Sequence, residues 1–301
     1  MSSRGWILFA VMSVLWGIPY LFIKEAVDTF SPFAVVAFRT LGGALLLLPF
    51  AIHRKALRPA LVHWPWVLAF GAIEMAGPFL LLGHAEQTLP SGTTGLLVAT
   101  VPLVAAVIAV FRGDRGVLQP LRLTGLLIGF GGVAIVVGGH GFAAGPGALL
   151  AMAEVLLVAV LYAIAPFIIA TKLAGVPSLG SITIALGAVG LFYLPFALLV
   201  PSAPPTLRST VSLIALAVLC TALAFIVFFA LIDEVGPARA PLFTYVNPVV
   251  AIVLGVIVLG EELTGGLLLG FPLVIAGCWL AATGGRVRNR SSAEGIAPPS
   301  V

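Results

Sequence analysis

The sequence predicts an all-α polytopic membrane protein, with ten transmembrane helices arranged as two inverted five-helix repeats. Three observations predict it: an apolar composition, ten long apolar windows, and an internal repeat that puts five windows in each copy. Of the 301 residues, 61% are apolar and 9% charged, where an ordinary globular domain carries about 25% charged residues. A soluble fold of this size has too little interior to hide so much apolar surface. Lipid is the expected solvent, and a soluble enzyme, a disulfide scaffold and a disordered chain are excluded.

An α-helical span needs about 20 mostly apolar residues. Such windows run over Gly5–Ile23, Pro32–Ile52, Trp64–Gly83, Pro90–Phe111, Leu121–Gly138, Gly145–Thr171, Pro177–Val200, Thr210–Ile232, Pro237–Gly260 and Thr264–Gly284. Barrel strands would show short alternating segments, which these unbroken runs do not. The first window is too long for a cleaved signal and lacks an Ala-x-Ala ending. What remains makes short links and a polar, Ser/Pro-containing tail over 285–301, which is expected to be disordered and cytoplasmic.

The net charge of +4 raises the question of nucleic acid. With a cytoplasmic N-terminus, one set of links holds Arg4, Arg54, Lys55, Arg58, Arg112, Arg115, Arg122, Lys172, Arg239, Arg286, Arg288 and Arg290. The other set holds Lys24 and Arg208, and Arg39 falls inside a span. Twelve against two is a positive-inside bias, so both termini are expected in the cytoplasm. Charges spread over six segments make no basic face, and no nucleic-acid partner is expected.

The repeat has an offset of 146. Leu48-Pro49-Phe50-Ala51 returns as Leu194-Pro195-Phe196-Ala197, Pro102 meets Pro248, and Trp16 falls opposite Tyr162. Gly125 and Gly132 match Gly270 and Gly277 one position short of that register. The expected units are 5–138 and 145–284. Five spans is an odd number, so the second unit must cross in the opposite sense. Inverted repeats are the usual architecture of secondary transporters, with the substrate near the midplane and alternating access by rocking of the halves.

Particular residues then suggest a family. Leu15-Trp16-Gly17 with Lys24, Phe38-Arg39, the stretch from Ala85 to Pro102, and the run Ala230-Leu231, Val235-Gly236, Tyr245, Pro248, Gly260-Glu261-Glu262, Gly270 and Gly277 carry the likeness. With these residues, over roughly Gly5 to Gly284, the chain resembles the ten-helix drug/metabolite transporter superfamily of EamA type. It departs from the pattern at Gly113-Asp114-Arg115, where a Gly-Glu is only approximated. The resemblance implies a bacterial cytoplasmic-membrane exporter of small metabolites, most like the aromatic amino-acid exporters.

Several residues are candidates for the site. Arg39, about seven residues into the second window, either holds a substrate carboxylate in a bidentate fork or is a structural arginine near the outer interface, bonded to backbone carbonyls or to an acidic link residue such as Glu25 or Asp28. Glu74 and Glu154 are the carboxylates deep in the windows; each either carries a proton reversibly or fixes helix packing as a hydrogen-bonded acid. His84, at the outer end of the third window, is a candidate proton partner or substrate donor, or a structural interface residue. Trp16, Tyr20, Tyr162 and Tyr245 are expected to wall a cavity or to anchor at the interface. Asn247 before Pro248 marks backbone freed at membrane depth. Pro19, Pro78, Pro102, Pro166, Pro195 and Pro248 are candidate hinges or static kinks.

The remaining features read as structural. Cys220 and Cys278 stand singly, without ligand spacing, and are expected to be inert packing. His53 and His63 flank a basic link, and His140 lies in a glycine run read as a flexible link. Gly125-x-x-x-Gly129 and Gly266-x-x-x-Gly270 suit close helix packing within the bundle, so a monomer is favoured. No metal, cofactor or catalytic residue is expected, and no nucleotide-binding motif is present. The expected function is export of amino acids, aromatic and other neutral ones, or of similar small metabolites. The rivals are a transporter of phosphorylated metabolites or nucleotide sugars, which needs several cations in its cavity, an intramembrane enzyme, and a non-transporting scaffold or sensor.

Overall fold

The computed structural model describes residues 2–113, 118–144, 146–236 and 240–283, with backbone alone for 140–144 and 146. Among the described residues, ten helices are long and apolar enough to cross a membrane: Ser3–Ala26, Pro32–His53, Trp64–Ala85, Ser91–Phe111, Pro120–Gly139, Gly147–Lys172, Ser178–Leu199, Leu207–Val235, Ala240–Leu259 and Gly265–Thr283. Lipid offers no hydrogen bonds, so each span must satisfy its own backbone, and helices do so. The eighth span starts three residues before its hydropathy window because Thr206 and Ser209 form a capping box, with the Ser209 N–H donating to Thr206 Oγ1 at 3.1 Å. Hydropathy cannot see such a cap.

The glycine run from Gly138 to Gly141 is not a link. Helix Pro120–Ala144 continues through it, and helix Pro146–Lys172 starts almost at once. Asp114, Arg115, Pro237, Arg239 and the tail lie outside the described residues, as does the His140 side chain.

Five spans are interrupted at mid-depth. The first breaks at Trp16–Ile18 between helices Ser3–Leu15 and Pro19–Ala26, and the fourth at Ala99–Thr100 between Ser91–Val98 and Val101–Phe111. The ninth opens as a 3-10 turn, Ala240–Tyr245, and becomes α-helical at Asn247–Leu259. The third and eighth carry π turns at Ala72–Ala76 and Val218–Leu223. The two π turns start 146 residues apart, and the breaks at Ala99 and Tyr245 share that offset. The first span's break has no partner, because 162–164 is continuous helix. Gly17 and Pro19 combine there, and a Cβ on Gly17 would meet Val250 at 2.5 Å, so glycine lets the ninth span come close.

Glycines also weld the fifth span to the tenth. A Cβ on Gly277 would run into the backbone of Gly129, one on Gly132 would meet Val274 N at 2.8 Å, and Gly266 faces Gly139. This is the close approach that small-residue spacing permits, made here within one chain.

At the end of the bundle that holds Lys24, helices Pro19–Ala26, Ser91–Val98, Leu207–Ala217 and Asn247–Leu259 pack together. Lys24 Nζ donates to the carbonyls of Glu86 (2.6 Å) and Leu89 (3.0 Å). Arg208 pairs with Glu25 at 2.6 Å, and the Ser212 hydroxyl donates to the same carboxylate. Gly260 ends the ninth helix at φ +68°, a left-handed turn suited to glycine. That turn aims Glu261 at the start of helix Ser91–Val98, where it accepts from Ser91 N–H (2.7 Å), Ser91 Oγ (2.9 Å) and Gly92 N–H (3.2 Å). At the opposite end a hollow of about 720 Å³ lies among Arg4, Arg54, Pro177, Phe229 and Asp233.

Candidate functional site

The interruptions converge on one central cavity of about 350 Å³. Its lining includes Trp16, Tyr20, Arg39, Glu74, Tyr162, Tyr245 and Asn247, together with Pro19, Pro102 and Pro248. Seven of the residues singled out as substrate contacts therefore share one wall. Pro19, Pro102 and Pro248 each fall in the first turn of the helix that follows a break, where the missing N–H costs nothing. Pro78 opens the helix after the third span's π turn, whereas Pro166 and Pro195 sit inside continuous helices.

Arg39 is 6% exposed, with its guanidinium over the Phe79 ring at 3.9 Å. Its Nε donates to Thr221 Oγ1 at 3.1 Å, and the Thr221 hydroxyl donates in turn to Leu216 O at 2.8 Å. That last bond spans five residues, so the π turn itself places Thr221 beneath the guanidinium. Neither Glu25 nor Asp28 holds Arg39, since Glu25 is taken by Arg208 and Ser212. None of the three ion pairs among the described residues involves Arg39 or Glu74. The cavity thus holds one guanidinium and one carboxyl that do not neutralise each other.

Most of the rest of the wall is aromatic or aliphatic, with the Thr244 hydroxyl and the Asn247 amide among it. Trp16 packs between Phe225, Phe228 and Phe243, with centroids 5.7, 5.0 and 5.4 Å away. The Asn247 amide, oriented so that its nitrogen donates, reaches Ser13 O and Phe243 O at 3.1 Å each. It satisfies carbonyls where the ninth span changes from a 3-10 turn to α-helix, and ties that span to the first. The Tyr245 hydroxyl donates to Cys278 O at 3.4 Å.

His84 and Glu154 do not reach the cavity lining. They pair with each other, Nδ1 to Oε2 at 2.8 Å, and tie the third span to the sixth, with the His84 side chain half exposed. The cysteines are both free and buried, but packing is not all they do. Cys220 lines the cavity, and Cys278 Sγ donates to Ala99 O at the fourth span's break, at 3.2 Å.

Thr221, Phe79 and Phe225 were not legible as site residues, but the repeat held a signal for Cys220, the counterpart of Glu74. Phe79 and Phe225 are 146 apart, as are Glu74 and Cys220, Met75 and Thr221, and Trp16 and Tyr162, and all eight line the cavity. Applying the offset to any residue suspected in one half names its counterpart. Arg39 breaks the pattern, for position 185 is alanine.

Ten helices around a central, largely apolar cavity describe a multi-pass membrane transporter in architecture. The EamA-like transporter family matches residues 3–138 and 146–283, and the chain belongs to that family. It is 27% identical to the uncharacterized transporter YvbV of Bacillus subtilis, over 98% of this chain and 96% of that one. It is equally 27% identical to the uncharacterized inner membrane transporter YedA of Escherichia coli K12, over 85% of this chain and 83% of the relative. A solved crystal structure is similar in fold over 95% of this chain and 100% of its own, with a TM-score of 0.66 at 20% identity.

Proposed function

We propose that the chain exports small metabolites across the cytoplasmic membrane by alternating access, and that its cargo is amino acids, aromatic and other neutral ones. The observation that carries this reading is the presence in one cavity of the Arg39 guanidinium and the Glu74 carboxyl, neither in an ion pair, within a wall that is otherwise largely aromatic and aliphatic. A zwitterion with an apolar side chain complements that wall: its carboxylate suits the Arg39 fork, its ammonium suits Glu74, and its side chain fills space among the rings. The volume stands near the lower end of the ~300–1,000 Å³ range for ligand pockets, which favours a small cargo. A phosphorylated metabolite or nucleotide sugar calls for several cations, and Arg39 is the one cation in the described lining.

The twelve-to-two distribution of Lys and Arg supports termini in the cytoplasm. The Lys24 end is then external, and the helices packed there support the reading of a form closed to the outside. Glu74 is the intramembrane carboxyl on the substrate's path, and exchange of a proton at Glu74 against the substrate ammonium would couple export to the proton gradient. The test is reconstitution of the purified protein in liposomes, with uptake of labelled phenylalanine, tryptophan, alanine and glutamate measured against protein-free liposomes. Saturable uptake competed by other aromatic amino acids is expected. No uptake of any of them by folded protein refutes the amino-acid reading.

A further inference from the structure

Glu86 ends the third span and is fully buried, at 0% exposure. Neither carboxyl oxygen has a hydrogen-bond partner among the described residues. Its N–H donates to Leu82 O at 2.9 Å, so it stands one helical turn beyond a residue of the cavity wall, on the Lys24 side. The obvious partner is engaged elsewhere: Lys24 Nζ donates to the backbone carbonyls of Glu86 and Leu89, not to the carboxylate. Glu261, the other nearby acid, is held by Ser91 and Gly92.

An ionised carboxylate taken from water without donors is among the costliest groups a protein can bury. A protonated one is far cheaper. We propose that Glu86 is a proton-binding site of the gate at the Lys24 end, holding its proton while that end is closed and releasing it to water when the end opens. The helices that pack there come from both halves of the chain, so their separation is what would wet the carboxyl.

The charged and titratable groups around Glu86 are Lys24 and Tyr20 on the first span, Arg39 on the second and Glu261 beyond the ninth. His84, on its own helix, is engaged by Glu154 of the sixth span. Burial pushes the Glu86 carboxyl well above the usual carboxylate range; Lys24 opposes this, Glu261 adds to it and Arg39 opposes it. The closed end therefore binds the proton more tightly than an open, hydrated end would. By linkage, acid favours closure and alkali favours opening, over the interval between the ordinary carboxylate pKa and the raised one. On the transport reading above, closure of this end is one half of the cycle, so the external pH sets how readily the external gate opens.

Two measurements test this on the full-length protein. Labelled-phenylalanine counterflow, which needs no driving force, is compared from mildly acid to mildly alkaline pH for the wild type and Glu86→Gln. The wild-type rate is expected to change with pH, by at most about tenfold per unit for a one-proton equilibrium. The Gln variant, neutral at every pH, is expected to show a flattened profile. A Glu86→Gln profile that overlays the wild type overturns the proposal.

The second measurement is the infrared carbonyl band of a protonated carboxylic acid at neutral pH, recorded in the Glu74→Gln background to remove the other deep carboxyl. That band is expected to persist there and to vanish when Glu86→Gln is added. Its absence from the Glu74→Gln protein overturns the proposal, whatever the counterflow shows. Absence of wild-type counterflow counts against amino-acid transport instead, and the infrared band then decides Glu86 by itself.

Discussion

Replacing Arg39 by lysine keeps the charge and removes the fork. In the wild type Nε is committed to Thr221 and the guanidinium plane rests on Phe79, so its two terminal nitrogens are aligned before substrate arrives. Lysine offers a point charge without that plane and cannot accept the same seating. One charge-assisted hydrogen bond is lost, at about 1.5–3 kcal/mol, and the ring contact weakens by about 0.5–1 kcal/mol. Taken together, a loss of about 2–4 kcal/mol is expected, a rise of roughly 30–700-fold in KM at about 1.4 kcal/mol per tenfold. The assay is concentration-dependent uptake of labelled phenylalanine into liposomes, with phenethylamine, which lacks the carboxylate, as competitor. Wild-type protein is expected to prefer phenylalanine strongly, and Arg39→Lys to lose most of that preference. An unchanged KM with unchanged discrimination refutes the assignment of Arg39 to the carboxylate. Thr221→Val should move the same quantities in the same direction but less, by about 1 kcal/mol, because it removes the acceptor that seats Nε and leaves the charge in place.

Other expectations follow from packing and capping. Gly277→Ala puts a methyl into the Gly129 backbone and should lower stability by about 1–3 kcal/mol, read as an earlier thermal unfolding transition. Gly131→Ala on the same fifth span meets nothing within 4 Å and should be neutral or raise stability by up to about 1 kcal/mol, the helix-interior difference between the two residues. Glu261→Ala strips the cap from helix Ser91–Val98, a loss of about 0.5–2 kcal/mol, and should make engineered cysteines at the Lys24 end easier to label. Trp16→Ala opens the aromatic wall and should slow phenylalanine and tryptophan uptake more than alanine uptake, measured side by side in the same liposomes.

How much of this was readable beforehand differs from feature to feature. The ten spans were legible because a bilayer imposes one simple demand, a long apolar run that satisfies its own backbone, and composition records it. The repeat was legible through Leu48–Ala51 and Leu194–Ala197 and through paired prolines. Proline at mid-span also pointed to the breaks at Pro19, Pro102 and Pro248, since a missing N–H has to fall where the helix is already open. It could not separate these from Pro166 and Pro195, whose helices run on unbroken.

The sequence by itself determined the solvent, the span count, the inverted repeat and a list of polar and aromatic residues too deep to ignore. Only the tertiary structure decided how those residues are grouped. Arg39 and Thr221 are 182 positions apart and meet because a π turn rotates one face of the eighth span toward the second. His84 and Glu154 meet on the side of the bundle and not at its centre, because the third and sixth spans touch there. Glu86 reads as an ordinary link residue just past an apolar run, yet the fold buries it completely, with Lys24 of the first span bonded to its carbonyl. Hydropathy measures depth along one helix. Whether a polar group finds a partner, a cavity or neither is set by the neighbours that packing supplies, and those come from elsewhere in the chain.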